Sequence, residues 1–156
     1  MLDVGGGSGR VGEFALEAGA SRYIDVDLSD TMLGLARERL KRFGDKVELI
    51  QGDFLRAELG GPFDVVLGLG YFDYIDDAPA HVHRMAELCT GSVVASFPRW
   101  TWTKGPIRKL RYELKNKVRI YDYTEPQLRE LFADFAKVTI HAGRSGFLLR
   151  ADRERL

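Results

Sequence analysis

Two kinds of apolar run alternate along the chain. Short continuous runs occur at Met1–Val4, Arg22–Asp27, Val47–Gln51, Phe63–Leu69 and Ser92–Phe97, and again at Val138–His141 and Gly146–Arg150. They are of strand length and end at Gly, Asp or Pro. Phe63-Asp64-Val65-Val66-Leu67-Gly68-Leu69 is almost unbroken, as a strand buried on both faces should be. Between these runs the apolar residues fall at helical spacing. Val11, Phe14, Ala15 and Ala18 form one such set, stopped by Gly19. Met32, Leu33, Leu35, Ala36, Leu40 and Phe43 form another, opened by Ser29 as N-cap and stopped by Gly44. Ala78–Cys89 reads as a third helix, with Gly91 ahead of the next strand. Ile107, Leu110 and Leu114 follow Pro106 as a fourth, and Thr124 and Pro126 open a fifth with Leu128, Leu131 and Phe132 inward.

Strands that alternate with helices predict a doubly wound, mostly parallel α/β sheet with helices on both faces, a three-layer α/β/α sandwich. The last two of the seven strands are separated only by Gly143–Ser145, so they predict an antiparallel C-terminal hairpin. Open sheets of this kind bind ligands at the carboxyl ends of their strands, near the point where strand order reverses. The loops after Val4, Asp27, Gln51, Leu69 and Phe97 are therefore where chemistry is expected.

The chain has 156 residues, which suits a single domain. No stretch approaches the ~20 apolar residues of a membrane span. No secretory leader is visible at the start, and Cys89 is the only cysteine, so a cytoplasmic setting and no cysteine metal cluster are expected. Basic and acidic residues balance at 23 each, which gives no overall pull toward nucleic acid. The distribution is uneven. Lys104, Arg108, Lys109, Arg111, Lys115, Lys117 and Arg119 stand against Glu113 alone, so residues 104–119 carry seven minus one, +6. That run is either a solvated helix face or a patch that draws in an acidic ligand.

The first candidate loop is Gly5-Gly6-Gly7-Ser8-Gly9, where glycines let the backbone turn sharply and a ligand come close. Gly7-Ser8-Gly9-Arg10-Val11-Gly12 also satisfies the dinucleotide pattern G-x-G-x-x-G, but its first glycine comes two residues past the place the fingerprint requires. Asp27, at the end of the second strand, suits two ribose hydroxyls, and Asp25 is its rival on the same side of the strand. Gly52-Asp53-Phe54 offers an acceptor for an adenine amino group and a ring to cover it, or simply a capped turn.

Taken in order, Leu2-Asp3-Val4-Gly5-Gly6-Gly7-Ser8-Gly9, Asp27-Leu28-Ser29-Asp30-Thr31-Met32-Leu33, Gln51-Gly52-Asp53-Phe54 and Phe63-Asp64-Val65-Val66 resemble the successive motifs of the class I S-adenosylmethionine-dependent methyltransferase family. The resemblance implies S-adenosyl-L-methionine as cofactor. Gly5, Gly7 and Gly9 would then pass under its methionine part, with Asp3 orienting the amino group. Asp27 would bind the ribose, with Leu28 and Met32 near the adenine, which Asp53 and Phe54 would hold. Gly68, Leu69 and Gly70 would line the methionine side. The family places its acceptor at Gly70–Tyr74, where Tyr71, Asp73 and Tyr74 are the candidate catalytic residues. Residues 99–121, with Arg99, Trp100, Trp102, Arg108, Arg111, Tyr112 and Tyr121, read as an insertion covering the acceptor side. They suit an anionic or aromatic small molecule better than a nucleic acid. His81, His83 and His141 read as surface or structural residues, and no metal site is expected. Family members usually carry a helical segment before the first strand. Here the given chain starts inside that strand, which leaves three expectations open: a truncated chain, an unusually minimal member, or a second copy or partner that covers this side. Two alternatives stand beside the enzyme: a catalytically silent module of the same fold, and a nicotinamide-dependent oxidoreductase.

Overall fold

The computed structural model describes residues 1–99, 121–144 and 146–153. The insertion read at 99–121 lies outside the described residues except for Arg99 and Tyr121, and with it the helix expected around Ile107–Leu114 and the candidates Trp100, Trp102, Arg108, Arg111 and Tyr112. The strands are β1 (Leu2–Val4), β2 (Tyr23–Asp27), β3 (Val47–Gln51), β4 (Phe63–Gly68), β5 (Cys89–Pro98), β6 (Lys137–Ala142) and β7 (Gly146–Asp152). They form one seven-stranded sheet in the order β3-β2-β1-β4-β5-β7-β6. Neighbours from β3 to β5 are parallel, and β7 runs antiparallel to both β5 and β6. The hairpin is thus present, with its second strand inserted between β5 and its first.

Four α-helices are found among the described residues: α1 (Arg10–Glu17), α2 (Asp30–Leu40), α3 (Ala78–Leu88) and α4 (Glu125–Leu131). α1 and α2 pack over β2 and β3, whereas α3 packs over β4 and β5 and against α4. The start of α2 follows the sequence closely, with the Ser29 hydroxyl accepting from the Met32 N–H at 3.3 Å. Its inward stripe is narrower than the apolar pattern: Leu33, Ala36 and Leu40 are buried, and Met32 and Leu35 face solvent. The α-helix also ends earlier than the stop at Gly44 implies. A 3-10 segment, Lys41–Lys46, completes it, and Gly44 takes a φ of 56° and ψ of −129° that only glycine adopts readily.

The junction of α3 and β5 also differs from the sequence pattern. The strand begins at Cys89 with no loop after α3, so Gly91 lies inside it. A Cβ at Gly91 would stand 2.3 Å from the Asp64 carbonyl oxygen, so the glycine there admits the backbone of β4. The pairing shifts register at that point, between Phe63 and Val65.

Strand alternation gives β1 and β2 two unlike faces. Leu2, Val4, Ile24 and Val26 join the main core with α3, α4 and Phe97. Phe97 is packed between Phe72, at a ring distance of 4.5 Å, and Phe132 at 5.9 Å. The opposite residues are Asp3, Tyr23 and Asp25, all buried on the α1 side. Tyr23 belongs to a smaller cluster with Leu16 and Leu40. Its ring fills the space under α1, where a Cβ on Gly12 would come within 2.4 Å of it.

This geometry predicts opposite outcomes for one substitution at two helical glycines. Nothing lies within 4 Å of a Cβ on Gly34 in α2, so Gly34→Ala should raise stability by about 0.5–1 kcal/mol through backbone entropy. Gly12→Ala should instead lower it, because the Tyr23 ring must move. Urea denaturation of both variants checks this, and equal gains at the two positions would refute the packing of Tyr23 against α1.

Candidate active site

The order of strands reverses between β1 and β4, and the loops leaving these two strands border the crevice. The loop after β1 is tied to β2 by three consecutive backbone donors. Gly5 N–H donates to the Val26 carbonyl at 2.8 Å, Gly6 N–H to Asp25 Oδ1 at 3.0 Å, and Gly7 N–H to Asp27 Oδ2 at 3.0 Å. Gly5, Gly7 and Gly9 have φ values of 69°, 61° and 72°, in the left-handed region. Gly6 is required for another reason: a Cβ there would lie 2.7 Å from both Asp25 Oδ1 and the Tyr23 hydroxyl. Gly6 and Tyr23 were not among the residues singled out from sequence. The available signal was Tyr23 and Asp25, two polar positions alternating with Ile24 and Val26 in an otherwise buried strand.

Asp27 is held by both oxygens. Oδ2 accepts from Gly7, and Oδ1 accepts from the Ser29 N–H at 2.8 Å. Each oxygen keeps a further lone pair for a ligand hydroxyl. Leu28 and Met32 beside it are exposed, at 73% and 42%. Asp53 closes a local turn by accepting from the Leu55 N–H at 3.0 Å, with Arg56 nearby at 3.7 Å. Phe54 points the other way, into the core, where its ring meets His81 at 6.0 Å and Tyr71 at 6.3 Å.

At the end of β4, Gly68 leaves room for Met85 and Phe72, which a Cβ would meet at 3.0 and 3.2 Å. Leu69 is half-buried, and Gly70, at a φ of 73°, donates its N–H to Ser96 Oγ at 2.7 Å. Tyr71 then folds back over the first loop, so closely that a Cβ on Gly5 would lie 2.8 Å from its ring. Burial, then the charges of Asp53 and Asp27, raise its phenol well above the ordinary tyrosine range. Tyr71 is therefore a neutral donor, suited to orienting an acceptor and unsuited to deprotonating one. Asp73 is half-buried with its carbonyl accepting from the Tyr121 N–H at 3.2 Å, and Tyr74 is half-exposed. His81, read from sequence as a surface residue, is buried: its Nδ1 lies 2.8 Å from the Asp77 carbonyl and its ring packs under Phe54 and Tyr71. The helical repeat turns it inward beside Val82 and Met85. His83 stays exposed, near Glu87.

The loops after β1, β2, β3 and β4 thus meet at one end of the sheet, through Gly7 and Gly52 on Asp27 and through Tyr71 against Gly5 and Phe54. Residues 1–91 match the family of the methyltransferase domain. This chain belongs to that family. Among curated proteins it is 37% identical over 100 residues to ribosomal RNA small subunit methyltransferase H of Dinoroseobacter shibae, a match covering 55% of this chain and 30% of that protein. It is 32% identical over 90 residues to the ubiquinone biosynthesis O-methyltransferase of Aromatoleum aromaticum, covering 56% of this chain and 38% of the relative. The matches thus span about a third of these relatives' lengths. In structure it resembles magnesium protoporphyrin IX methyltransferase from Synechocystis PCC 6803 with bound SAH, with a TM-score of 0.77, 24% identity and coverage of 98% of this chain and 73% of that one.

The methyltransferase domain carries an unusual charge beneath its glycine loop. Asp3 is 1% exposed and accepts from the Tyr23 hydroxyl at 2.9 Å. Asp25 is fully buried, and its Oδ2 has no partner. Burial pushes Asp3 up to about 6 against the relief of the Tyr23 bond, with the charge of Asp27 adding to the rise. Burial and then the charge of Asp3 push Asp25 up to about 7. Both values lie above the unfolded carboxylate range, so the native state binds more protons than the unfolded one. Stability contributed by these two groups is full below about pH 4 and falls as pH rises through 6 and 7. Asp25→Asn keeps the acceptor for Gly6 and removes the buried charge. The ligand-free variant should therefore melt higher than wild type at pH 8, by about 2–4 °C per kcal/mol relieved, and match it near pH 4. A variant that melts lower at pH 8 would contradict the charge assigned here.

Proposed function

We propose that this domain binds S-adenosylmethionine across the crevice and transfers its methyl group to a small-molecule oxygen or nitrogen acceptor. One observation carries the choice of cofactor. The glycine loop's first three N–H groups are already bonded to β2, two of them to carboxylates, and a third carboxylate, Asp3, lies buried behind it. None of Asp3, Asp25 and Asp27 is ion-paired among the described residues. Such a loop repels a pyrophosphate and attracts a cation. That argues against the nicotinamide dinucleotide despite the G-x-G-x-x-G spelling. The family membership and the fold shared with structures holding SAH and SAM support the same reading.

The residues fit that ligand part by part. Asp27 has both oxygens oriented and a lone pair on each for the two ribose hydroxyls. Asp53 accepts from the adenine amino group while Phe54 supports the turn from below, and Leu28 and Met32 supply exposed apolar surface for the ring. Gly5, Gly7 and Gly9 let the methionine portion lie against main chain, the charge of Asp3 attracts its amino group from beneath the loop, and Gly68–Gly70 border the opposite side. The bound sulfonium supplies an activated methyl group, so alignment is the main task left to the protein. Tyr71 donates toward the acceptor from its place over Gly5, and Asp73 and Tyr74 continue the same loop. In the transfer, the acceptor heteroatom bonds to the methyl carbon as the carbon–sulfur bond breaks. The acceptor proton passes to Asp73 or to water. The O-methyltransferase relative favours a small acceptor. Among the described residues no helix is long and apolar enough to cross a membrane.

Isothermal titration should show binding of S-adenosylmethionine or S-adenosylhomocysteine and none of NAD. Asp27→Ala should weaken that binding at least about tenfold, or ~1.4 kcal/mol, since it removes the ribose acceptor and frees Gly7 together. Binding of NAD with no response to S-adenosylmethionine would overturn the proposed function.

A further inference from the structure

Asp25 is a buried acid that the proposed reaction does not use. It stands beside Asp3 in register on the neighbouring strand, on the same face of the sheet, where strands are about 4.8 Å apart. Its Oδ1 takes the Gly6 N–H, its Oδ2 has no partner, and no water-exposed surface remains to it. The space directly above is filled by the glycine loop itself: Gly6 sits against both the Asp25 carboxyl and the Tyr23 hydroxyl. Two carboxyls are thus enclosed under the one strip of backbone on which the proposed ligand lies.

Among the described residues, the other charged groups do not neutralise them. On the sheet these are Asp27 and the neutral phenol of Tyr23, which donates to Asp3. Leu49 of β3 and Leu67 of β4 are the register neighbours of Asp25 and Asp3. On the helices they are Glu13 of α1 and Arg39 of α2, which pair with each other at 3.1 Å, with Arg39 also donating to the Ser8 carbonyl at 2.9 Å and Arg42 reaching Glu13 at 3.1 Å. The arginines are thereby committed to Glu13 and the loop's outer edge.

We propose that Asp25 and Asp3 are positioning residues that read the cofactor's charge: binding of a cation over the glycine loop drives this pair to ionise, and so favours the sulfonium over its neutral thioether product. This rests on the function proposed above. The physical sequence is simple. Without ligand the enclosed pair retains a proton, because two adjacent carboxylates in a low-dielectric site repel each other. A positive charge across the loop lowers that repulsion, and the proton is released to solvent. Ionised Asp25 then accepts more strongly from Gly6 and fixes the loop. S-Adenosylhomocysteine carries the same ammonium and carboxylate without the sulfonium charge, so it drives the ionisation less. Such a device helps the domain release product and take up fresh donor. The values of about 6 and about 7 place the transition in a range where it can be measured.

The test is isothermal titration of the whole chain with each of the two ligands from pH 5.5 to 7.5, in buffers of different ionisation enthalpy. For wild type, S-adenosylmethionine affinity should rise about three- to tenfold over this range with net proton release. S-Adenosylhomocysteine affinity should change less than about twofold. Asp25→Asn should flatten the S-adenosylmethionine profile and bring the two affinities together, while still binding both. Tyr23→Phe should move the profile to higher pH, because ionised Asp3 loses its donor. A ratio of affinities independent of pH in wild type, or an Asp25→Asn profile unchanged from wild type, would overturn this inference and leave the proposed function standing. Failure of wild type to bind either ligand would overturn both.

Discussion

The hold of β2 on the glycine loop is the constraint on which the rest of the site depends. Three successive donors of the loop end on three successive residues of one strand: Gly5 on Val26, Gly6 on Asp25 and Gly7 on Asp27. A glycine run has more backbone freedom to lose than any other sequence, so it needs fixed partners to present one shape. Here the partners come from a central strand bonded on both sides, to β1 and β3. The left-handed turns at Gly5, Gly7 and Gly9 follow from meeting all three bonds within so short a span. Asp27 then does two things at once, since the carboxylate that pins Gly7 is also the one turned toward the crevice.

The layered fold was readable because its signals are local and repeated. The continuous apolar run Val65-Val66-Leu67 is short, mostly β-branched and closed by glycine, as a buried strand is, and Ser29 and Thr124 cap α2 and α4. The discrepancies arise where a tertiary contact overrode local punctuation. Gly91 looks like a chain break and is instead the place where β4 crowds β5. His81 looks like a surface residue, yet the helical repeat turns it under Phe54 and Tyr71. The order of the glycine, Asp27 and Asp53 motifs pointed to the loops that the fold brings together after β1, β2 and β3. The brace beneath it was not legible, because the role of Tyr23 depends on α1 crossing above it at Gly12 and on Asp3 lying alongside. No spacing along the sequence encodes that meeting.

Burying Asp3 and Asp25 is a cost that a fold selected only for stability would avoid, since isolated buried carboxylates are strongly disfavoured unless paired. The Tyr23 and Gly6 bonds offset only part of it, and Asp25 Oδ2 has no hydrogen-bond partner among the described residues. Such a defect at the centre of a sheet makes physical sense if a compensating positive charge arrives with the ligand on the other side of the loop. The same reasoning explains why the loop differs from a phosphate cradle of similar spelling. A phosphate cradle leaves its N–H groups vacant and brings positive charge near them. This loop consumes those groups and sets negative charge behind them.

The two faces of the sheet divide the work. On the α3 and α4 side, Phe97 stacks on Phe72 and meets Phe132 and Tyr123, an aromatic column that fixes the end of β5 and the loop after β4. On the α1 side lies the polar brace under the glycine loop. Tyr71 joins them, since its ring contacts Phe72 on one side and closes over Gly5 on the other. In the function proposed above, a methyl donor on the glycine loop and an acceptor at the β4 loop lie on either side of this one packed ring. Rates of transfer fall steeply with small errors of alignment, so on that proposal the packing of this ring bears on the reaction as well as on the fold. On the same proposal, a smaller residue at Tyr71 would both loosen the distance between the two loops and remove the phenol donor from the acceptor side.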